Sequence, residues 1–173
     1  GTEAPAALAK APRTAGKFTA LLFGNGRRAA LEAQALGAET WRVASVLALI
    51  AQALEQPEQA FGHAERAVPG IPPGTTDWKA IRTLALFAEG RHRQIVAAAR
   101  AKEDWHGSWL TDASAAYSVL VQHPLGTDIQ VASHYDLLAH LGARGRASRV
   151  LDEGLRRFPE SATLPDCLRQ RTL

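Results

Sequence analysis

The chain has 173 residues, of which 46% are hydrophobic and 6% aromatic, and its formal net charge is +3. This length suits one domain or one short helical array, and the hydrophobic content excludes general disorder. A charge this small does not mark a dedicated nucleic-acid binder, so nucleic acid is not an expected partner, and the single cysteine excludes an intramolecular disulfide and a thiolate zinc site.

Residues 1–15 are rich in alanine and proline, which predicts a flexible lead-in before a single helical-repeat domain over residues 16–173. A lead-in of this kind often follows a removed signal sequence, so we expect a periplasmic or secreted location in preference to a cytoplasmic one. A truncated cytoplasmic protein would show the same pattern. The longest apolar run begins at Val43 and is far shorter than the roughly 20 residues that a membrane span needs, so no span is predicted.

Two helical hairpins are predicted in the first part of this domain. Their helices are expected over residues 17–23, 27–36, 44–54 and 60–68. The first hairpin would turn at residues 24–26, where two glycines flank an asparagine. In the second hairpin apolar residues recur every three or four positions, and Pro57 suits the first turn of the later helix, where its missing amide hydrogen costs nothing.

A third hairpin is predicted in the middle of the chain. We expect Thr76 to cap a helix that Gly90 ends, and a short alanine-rich helix over residues 92–101 to complete the pair. A polar loop over residues 103–108 follows. A further helix over residues 113–122 would then be capped by Asp112.

The clearest hairpin lies near the C-terminus. Apolar residues follow helical spacing from Val131 to Leu141, where Gly142 breaks the pattern. A second helix over residues 146–158 carries one continuous apolar stripe and ends before Pro159. No sustained alternation of apolar and polar residues indicates strands. The expected fold class is therefore all-α, a helical-hairpin array of about three to four hairpins.

The second helices of two hairpins resemble the tetratricopeptide repeat, in which small residues alternate with a bulky one before a closing proline. The two matching stretches are Ala147-x3-Leu151-x2-Gly154-x4-Pro159 and Ala60-x3-Ala64-x2-Ala67-x4-Pro72. Glu55 and Gly90 are 90 − 55 = 35 residues apart, close to the family period of about 34. Gly90 and Gly142 are 142 − 90 = 52 residues apart, which we interpret as one period plus one extra helix. The resemblance implies a short α-solenoid that acts as a scaffold.

The resemblance also implies that the first helices line a groove that binds a protein or peptide partner without catalysis. Carried onto this chain, the groove positions that we expect to bind the partner are Arg42, Gln52, Asp77, Asp136 and His140. Trp105 and Trp109, in or beside an irregular loop, are predicted to form a secondary contact patch because exposed aromatic rings anchor partners.

Two other classes of function stay open. The six histidines include neither a His-x3-His pair nor a His-Glu-x-x-His motif, so no metal site and no cofactor are predicted. The 104–112 loop holds Asp104, His106 and Ser108 close together, which leaves a hydrolase-like enzyme or enzyme subunit as an alternative. The other alternative is an oligomerisation or nucleic-acid-tethering module, and a homo-oligomer stays open as well.

Overall fold

The structure, a computed structural model, describes residues 24–33, 35–37 and 40–171. Regular structure in these ranges is entirely helical, so the all-α prediction is confirmed. The lead-in and the predicted helix over residues 17–23 lie outside the described residues. The chain divides into two compact units, one ending at Ile71 and the other beginning at Pro72. Whether the domain predicted over residues 16–173 behaves as one stays a prediction.

The helices of the described chain are short except for one. In chain order they are α1 (24–33), α2 (Thr40–Ala53), α3 (Pro57–Ala67), α4 (Trp78–Ala101), α5 (Ser108–Gln122), α6 (Asp128–His140), α7 (Arg144–Arg157) and α8 (Leu164–Arg171), with a 3-10 turn over Val68–Gly70 after α3.

The first unit contains the predicted pair of α2 and α3, which pack against each other. The contact is close because α3 presents a face of alanines, Ala60, Ala64 and Ala67, all fully buried. Glu55 turns the chain between the helices with a positive φ of 57°, and Pro57 opens α3 as predicted.

The turn predicted at residues 24–26 is wrong, because these residues belong to α1. Each glycine weakens a helix by roughly 1 kcal/mol, but packing overrides that preference here. Gly26 lies against Ile50 of α2, where an added Cβ would come within 3.4 Å of Ile50 Cδ1. Further along α1, Ala30 is buried against Val43 and Leu47.

In the second unit, α4 runs unbroken through Gly90, so the helix end predicted there is wrong. One face of the helix carries buried apolar side chains on both sides of Gly90, among them Phe87 and Ile95, and their burial outweighs the roughly 1 kcal/mol that one glycine costs. The cap is also one residue later than predicted, because Asp77 and not Thr76 is the N-cap of α4.

The partner of α4 is therefore α5, and the two helices pack together as the middle hairpin. The predicted helix over residues 113–122 is confirmed within α5, but Asp112 lies inside the helix and does not cap it. The helix begins four residues before Asp112, and at its start the ring Nδ1 of His106 accepts a hydrogen bond from the backbone N–H of Ser108 at 3.2 Å, which satisfies one of the N-terminal amides of α5.

The last hairpin forms as predicted, with Gly142 between α6 and α7 at a φ of 75°. Thr127 and Gln130 form a reciprocal capping box at the start of α6. The two helices approach closely at Gly154, where an added Cβ would lie 2.3 Å from Cγ1 of Val131. Helix α8 packs on both α6 and α7 and buries Leu164 completely.

Candidate functional site

Two of the predicted partner-binding residues, Arg42 and Gln52, lie in the first unit on α2. Both are exposed on the helix surface. The Arg42 guanidinium lies 4.5 Å from the ring centroid of the buried Trp41, within the range of a cation–π contact. Both side chains therefore present polar groups to solvent from a helix that is otherwise largely buried.

Asp77, Trp105 and Trp109 lie in the second unit, and Asp77 and Trp109 make structural contacts there. The Asp77 carboxylate accepts the backbone amide of Lys79 at 2.9 Å and so caps α4. Trp109 is half-buried, and the guanidinium of the buried Arg91 lies 4.7 Å from its ring centroid. Trp105 is half-buried in the loop before α5. Neither tryptophan is the fully exposed ring that a simple contact anchor would be.

Asp136 and His140 lie one turn apart on the exposed face of α6, and the structure brings them to a residue that the sequence did not single out, His92 of α4. Burial lowers the pKa of His92, Asp136 raises it, and His140 and Arg93 lower it further. The charges of Asp136 and His140 are therefore close enough to the half-buried ring of His92 to shift its pKa, and α4 and α6 pack together in this unit.

Exposed groups of both signs surround His92. On α4, Glu89 lies one turn before His92 and Arg93 directly follows His92, and both side chains are exposed. Partial desolvation raises the pKa of Glu89, and the opposite charges of Arg93 and Arg82 lower it. We call the set formed by Glu89, His92, Arg93, Asp136 and His140 the α4–α6 surface.

Beneath this surface lies a stack of three rings from three helices, His92, Tyr117 and His134. The first two rings meet edge to face with centroids 6.1 Å apart, and Tyr117 stacks on His134 at 5.3 Å with an interplanar angle of 18°. Tyr117 and His134 are buried, at 0% and 4% exposure. The three-ring stack therefore ties α4, α5 and α6 together with aromatic contacts.

The hydroxyl of Tyr117 sits between two polar partners. It lies 3.1 Å from Nδ1 of His92 and hydrogen-bonds to the side chain of Ser133. Burial, together with the nearby charge of Glu89, raises the pKa of Tyr117 far above its ordinary range, so the phenol is neutral. When Tyr117 donates to Nδ1, the proton of neutral His92 is on Nε2.

His134 has the most perturbed imidazole of the described chain. Burial is the main cause, with additions from Arg146 and His92, and together they lower the pKa of His134 to about 4. The ring is thus neutral at pH 7. Its Nε2 is buried and has no hydrogen-bond partner among the described residues.

The loop before α5 holds the residues of the hydrolase-like alternative. The Nδ1 of His106 lies 2.8 Å from the hydroxyl of Ser108 and also accepts the backbone amide of Ser108. Both bonds belong to a local turn that starts α5. No carboxylate hydrogen-bonds to His106 in the part of the chain that the structure describes, so the acid, base and nucleophile of a triad are not assembled there.

Metal binding and membrane crossing both require particular groupings of residues. No group of three or more His, Cys, Asp or Glu side chains within residues 24–33, 35–37 and 40–171 is arranged to hold a metal ion. Over the same ranges, none of the helices combines the length and the apolar character that crossing a membrane requires.

The residues that the sequence missed, His92, Tyr117 and His134, are far apart along the chain and meet only through the packing of α4, α5 and α6. The only sequence signal for them is a polar-tipped aromatic ring, Tyr117, within the apolar stripe of α5, since a buried tyrosine usually requires a hydrogen-bond partner. Comparisons with protein-family models, with curated proteins and with solved structures found no match to this chain.

Proposed function

We propose that the chain is a non-catalytic, tetratricopeptide-like scaffold that binds a protein or peptide partner along the α4–α6 surface. The observation that carries the proposal is the position of Asp136 and His140 beside His92, where exposed groups of both signs surround a half-buried ring. Polar clamps of this kind on adjacent first helices are how helical repeats hold extended or helical peptides.

The spacing of the second helices supports the repeat interpretation once α5 replaces the short helix predicted after Gly90. The aligned stretches are Ala113-x3-Tyr117-x2-Leu120 in α5 and Ala147-x3-Leu151-x2-Gly154 in α7. Ala113 and Ala147 are 147 − 113 = 34 residues apart, the period of the family. All six residues are buried, which is how second helices pack in such repeats.

The charges of the α4–α6 surface favour a partner that also carries both signs. Glu89 and Asp136 offer carboxylates, while Arg93 offers a guanidinium whose five donors suit carboxylates and backbone carbonyls. Because the charges are exposed, they contribute mainly to specificity and to the rate of encounter, and affinity requires apolar contacts in addition. The three-ring stack keeps the backbone of both helices in place beneath them.

Site-specific photocrosslinking tests this proposal and requires no purified partner. Benzoylphenylalanine is placed at His140, in the surface, or at Glu160, which is exposed between α7 and α8. We expect a discrete crosslinked product from the first position that weakens when Arg93→Glu is added. Equal products from both positions, or a product that Arg93→Glu leaves unchanged, would contradict the proposal.

One contact supports the hydrolase-like alternative, the 2.8 Å approach of His106 Nδ1 to the Ser108 hydroxyl. A Ser–His pair can generate a nucleophile when the histidine acts as a general base. A covalent adduct at Ser108 with a fluorophosphonate probe, absent in Ser108→Ala and reduced in His106→Ala, would support this role. An unlabelled wild-type protein would count against it.

A further inference from the structure

The first unit holds a cluster of basic side chains that is separate from the α4–α6 surface. Arg27 of α1 and His63 of α3 line the same cleft, and its floor includes the apolar side chains of Leu47 and Ile50 from α2. The cleft is too narrow to admit a water molecule. A ligand would therefore lie at its mouth, beside the exposed Arg27 and the half-buried ring of His63.

Arg66 joins this cluster from the next turn of α3. Its Nε donates to the backbone carbonyl of Gly62 at 3.1 Å, and its Nη2 lies 3.2 Å from Nδ1 of His63. Because a guanidinium can only donate, Nδ1 is the acceptor, and the proton of neutral His63 is on Nε2. That nitrogen has no hydrogen-bond partner among the described residues, and it is not one of their enclosed unpaired atoms. The Nε2 hydrogen is therefore a donor for a ligand.

The charges of the cluster are all positive. Burial is the largest cause that lowers the pKa of His63, and the charges of Arg66 and Arg27 lower it further, so both guanidinium groups lie near the ring. No carboxylate is among the groups that shift this pKa, and neither arginine forms an ion pair within residues 24–33, 35–37 and 40–171. Like charges that converge from two helices without a counter-charge repel each other, and an anion would relieve that repulsion.

The number of donors and charges in the cluster indicates the kind of anion. Two guanidinium groups and one imidazole hydrogen offer donors to several acceptor atoms at once and carry two positive charges. A phosphate monoester presents three strong acceptor oxygens and a charge of about −1.5 to −2 at pH 7. A carboxylate has only two oxygens and one charge, so the phosphate is the better match. The apolar floor of the cleft strengthens the attraction because it lowers the local dielectric constant.

We propose that Arg27, His63 and Arg66 form a binding site for a phosphate monoester at the mouth of the cleft between α1, α2 and α3. A free phosphate ester and a phosphorylated side chain of a polypeptide carry the same group, and the test distinguishes them. The site lies in the first unit and does not rest on the function proposed for the α4–α6 surface.

The test follows the ring nitrogens of His63 by NMR in the whole chain labelled with ¹⁵N-histidine, with the signal assigned by its loss in His63→Gln. The probes are methyl phosphate and Nα-acetyl-phosphoserinamide. Methyl sulfate, which has the shape of methyl phosphate but a single charge, is the matched control, and the ionic strength is held constant. We expect saturable shifts with both phosphates, and a raised pKa of His63 because a bound dianion favours the imidazolium.

The affinities identify the source of the phosphate. Methyl sulfate should bind at least about tenfold more weakly than methyl phosphate, because it carries about half the charge. Equal affinities of the two phosphates would assign recognition to the phosphoryl group alone, as in a free ester. Tighter binding of the phosphoserine probe would assign it to a phosphorylated polypeptide.

The matched variants are Arg27→Gln and Arg66→Gln, in the cluster, and Arg100→Gln, in the last turn of α4. All three side chains are exposed, and circular dichroism verifies that each variant is folded. The loss of one charged donor should weaken binding of methyl phosphate about tenfold in the first two variants and leave Arg100→Gln unchanged. No saturable shift, equal affinity for methyl sulfate, an unaltered pKa of His63 in saturating phosphate, or equal weakening in all three variants would overturn the proposal.

Discussion

The buried imidazole of His134 predicts that the second unit loses stability in mild acid. The unfolded chain binds a proton at this residue near the ordinary pKa of 6.5, whereas in the folded chain burial lowers the pKa of His134 to about 4. Between these two values the unfolded state holds more protons than the folded state. The contribution of neutral His134 is therefore fully present above pH 6.5 and is lost as the pH falls toward 4.

The size of this effect follows from the interval between the two pKa values. Each pH unit corresponds to about 1.4 kcal/mol, so complete loss weakens folding by about 3 kcal/mol. His134 is only 4% exposed, so solvent screening removes little of this. The charged or titratable groups around it are Arg146 and Glu153 on α7, His92 on α4 and Tyr117 on α5, and of these Arg146 and His92 act in the same direction as burial.

The assay compares urea unfolding of the wild type with His134→Gln between pH 4 and pH 7.5, with the exposed His140→Gln as the matched control. Far-UV circular dichroism gives the free energy of unfolding at each pH. We expect the wild type and His140→Gln to lose about 3 kcal/mol more than His134→Gln as the pH falls from 6.5 to 4. Because carboxylates titrate equally in all three proteins, parallel profiles for the wild type and His134→Gln would refute the reasoning.

Three substitutions test the packing of the fold, each by urea unfolding. Gly154→Ala should destabilise the protein by about 1–3 kcal/mol because its Cβ would meet Val131. Gly145→Ala, on the open side of the same helix, should be neutral or stabilising. Equal effects of the two substitutions would contradict the close contact between Gly154 and Val131. Arg157→Ala removes two hydrogen bonds, at 3.0 and 2.6 Å, to carbonyls at the end of α5 and should cost about 1 kcal/mol, and no loss would show that these exposed bonds contribute nothing. Glu55→Gly should stabilise the first unit by up to about 1 kcal/mol because glycine adopts the positive φ without strain, and a destabilised variant would count against that conformation.

The hairpins that were predicted correctly are those in which a proline or a glycine marks the boundary between the two helices. Pro57 and Gly142 act locally, through a missing amide hydrogen and a positive φ, so their effect is readable without tertiary structure. The turns predicted at Gly90 and at residues 24–26 are wrong because a glycine only weakens a helix. Burial against neighbouring residues decides whether the helix continues.

The candidate site was predictable only in part. Asp136 and His140 came from groove positions of the tetratricopeptide repeat and do lie on an exposed helix face. Their neighbour His92 was not predicted, because the expected break at Gly90 placed it in a different helix from the one that packs on α6. The stack of Tyr117 on His134 depends on the rotation of two helices about their axes, which apolar spacing determines only to within a residue or so.

The most direct test of the proposed function is the affinity of the photocrosslinked partner for purified protein. Isothermal titration calorimetry would compare the wild type with the double variant Arg93→Ala plus Asp136→Ala. The control is the double variant Arg149→Ala plus Asp152→Ala on the exposed face of α7, and circular dichroism verifies that every variant is folded. We expect the first double variant to bind at least about tenfold more weakly and the control to bind like the wild type. An unchanged affinity in the first double variant would contradict binding along the α4–α6 surface.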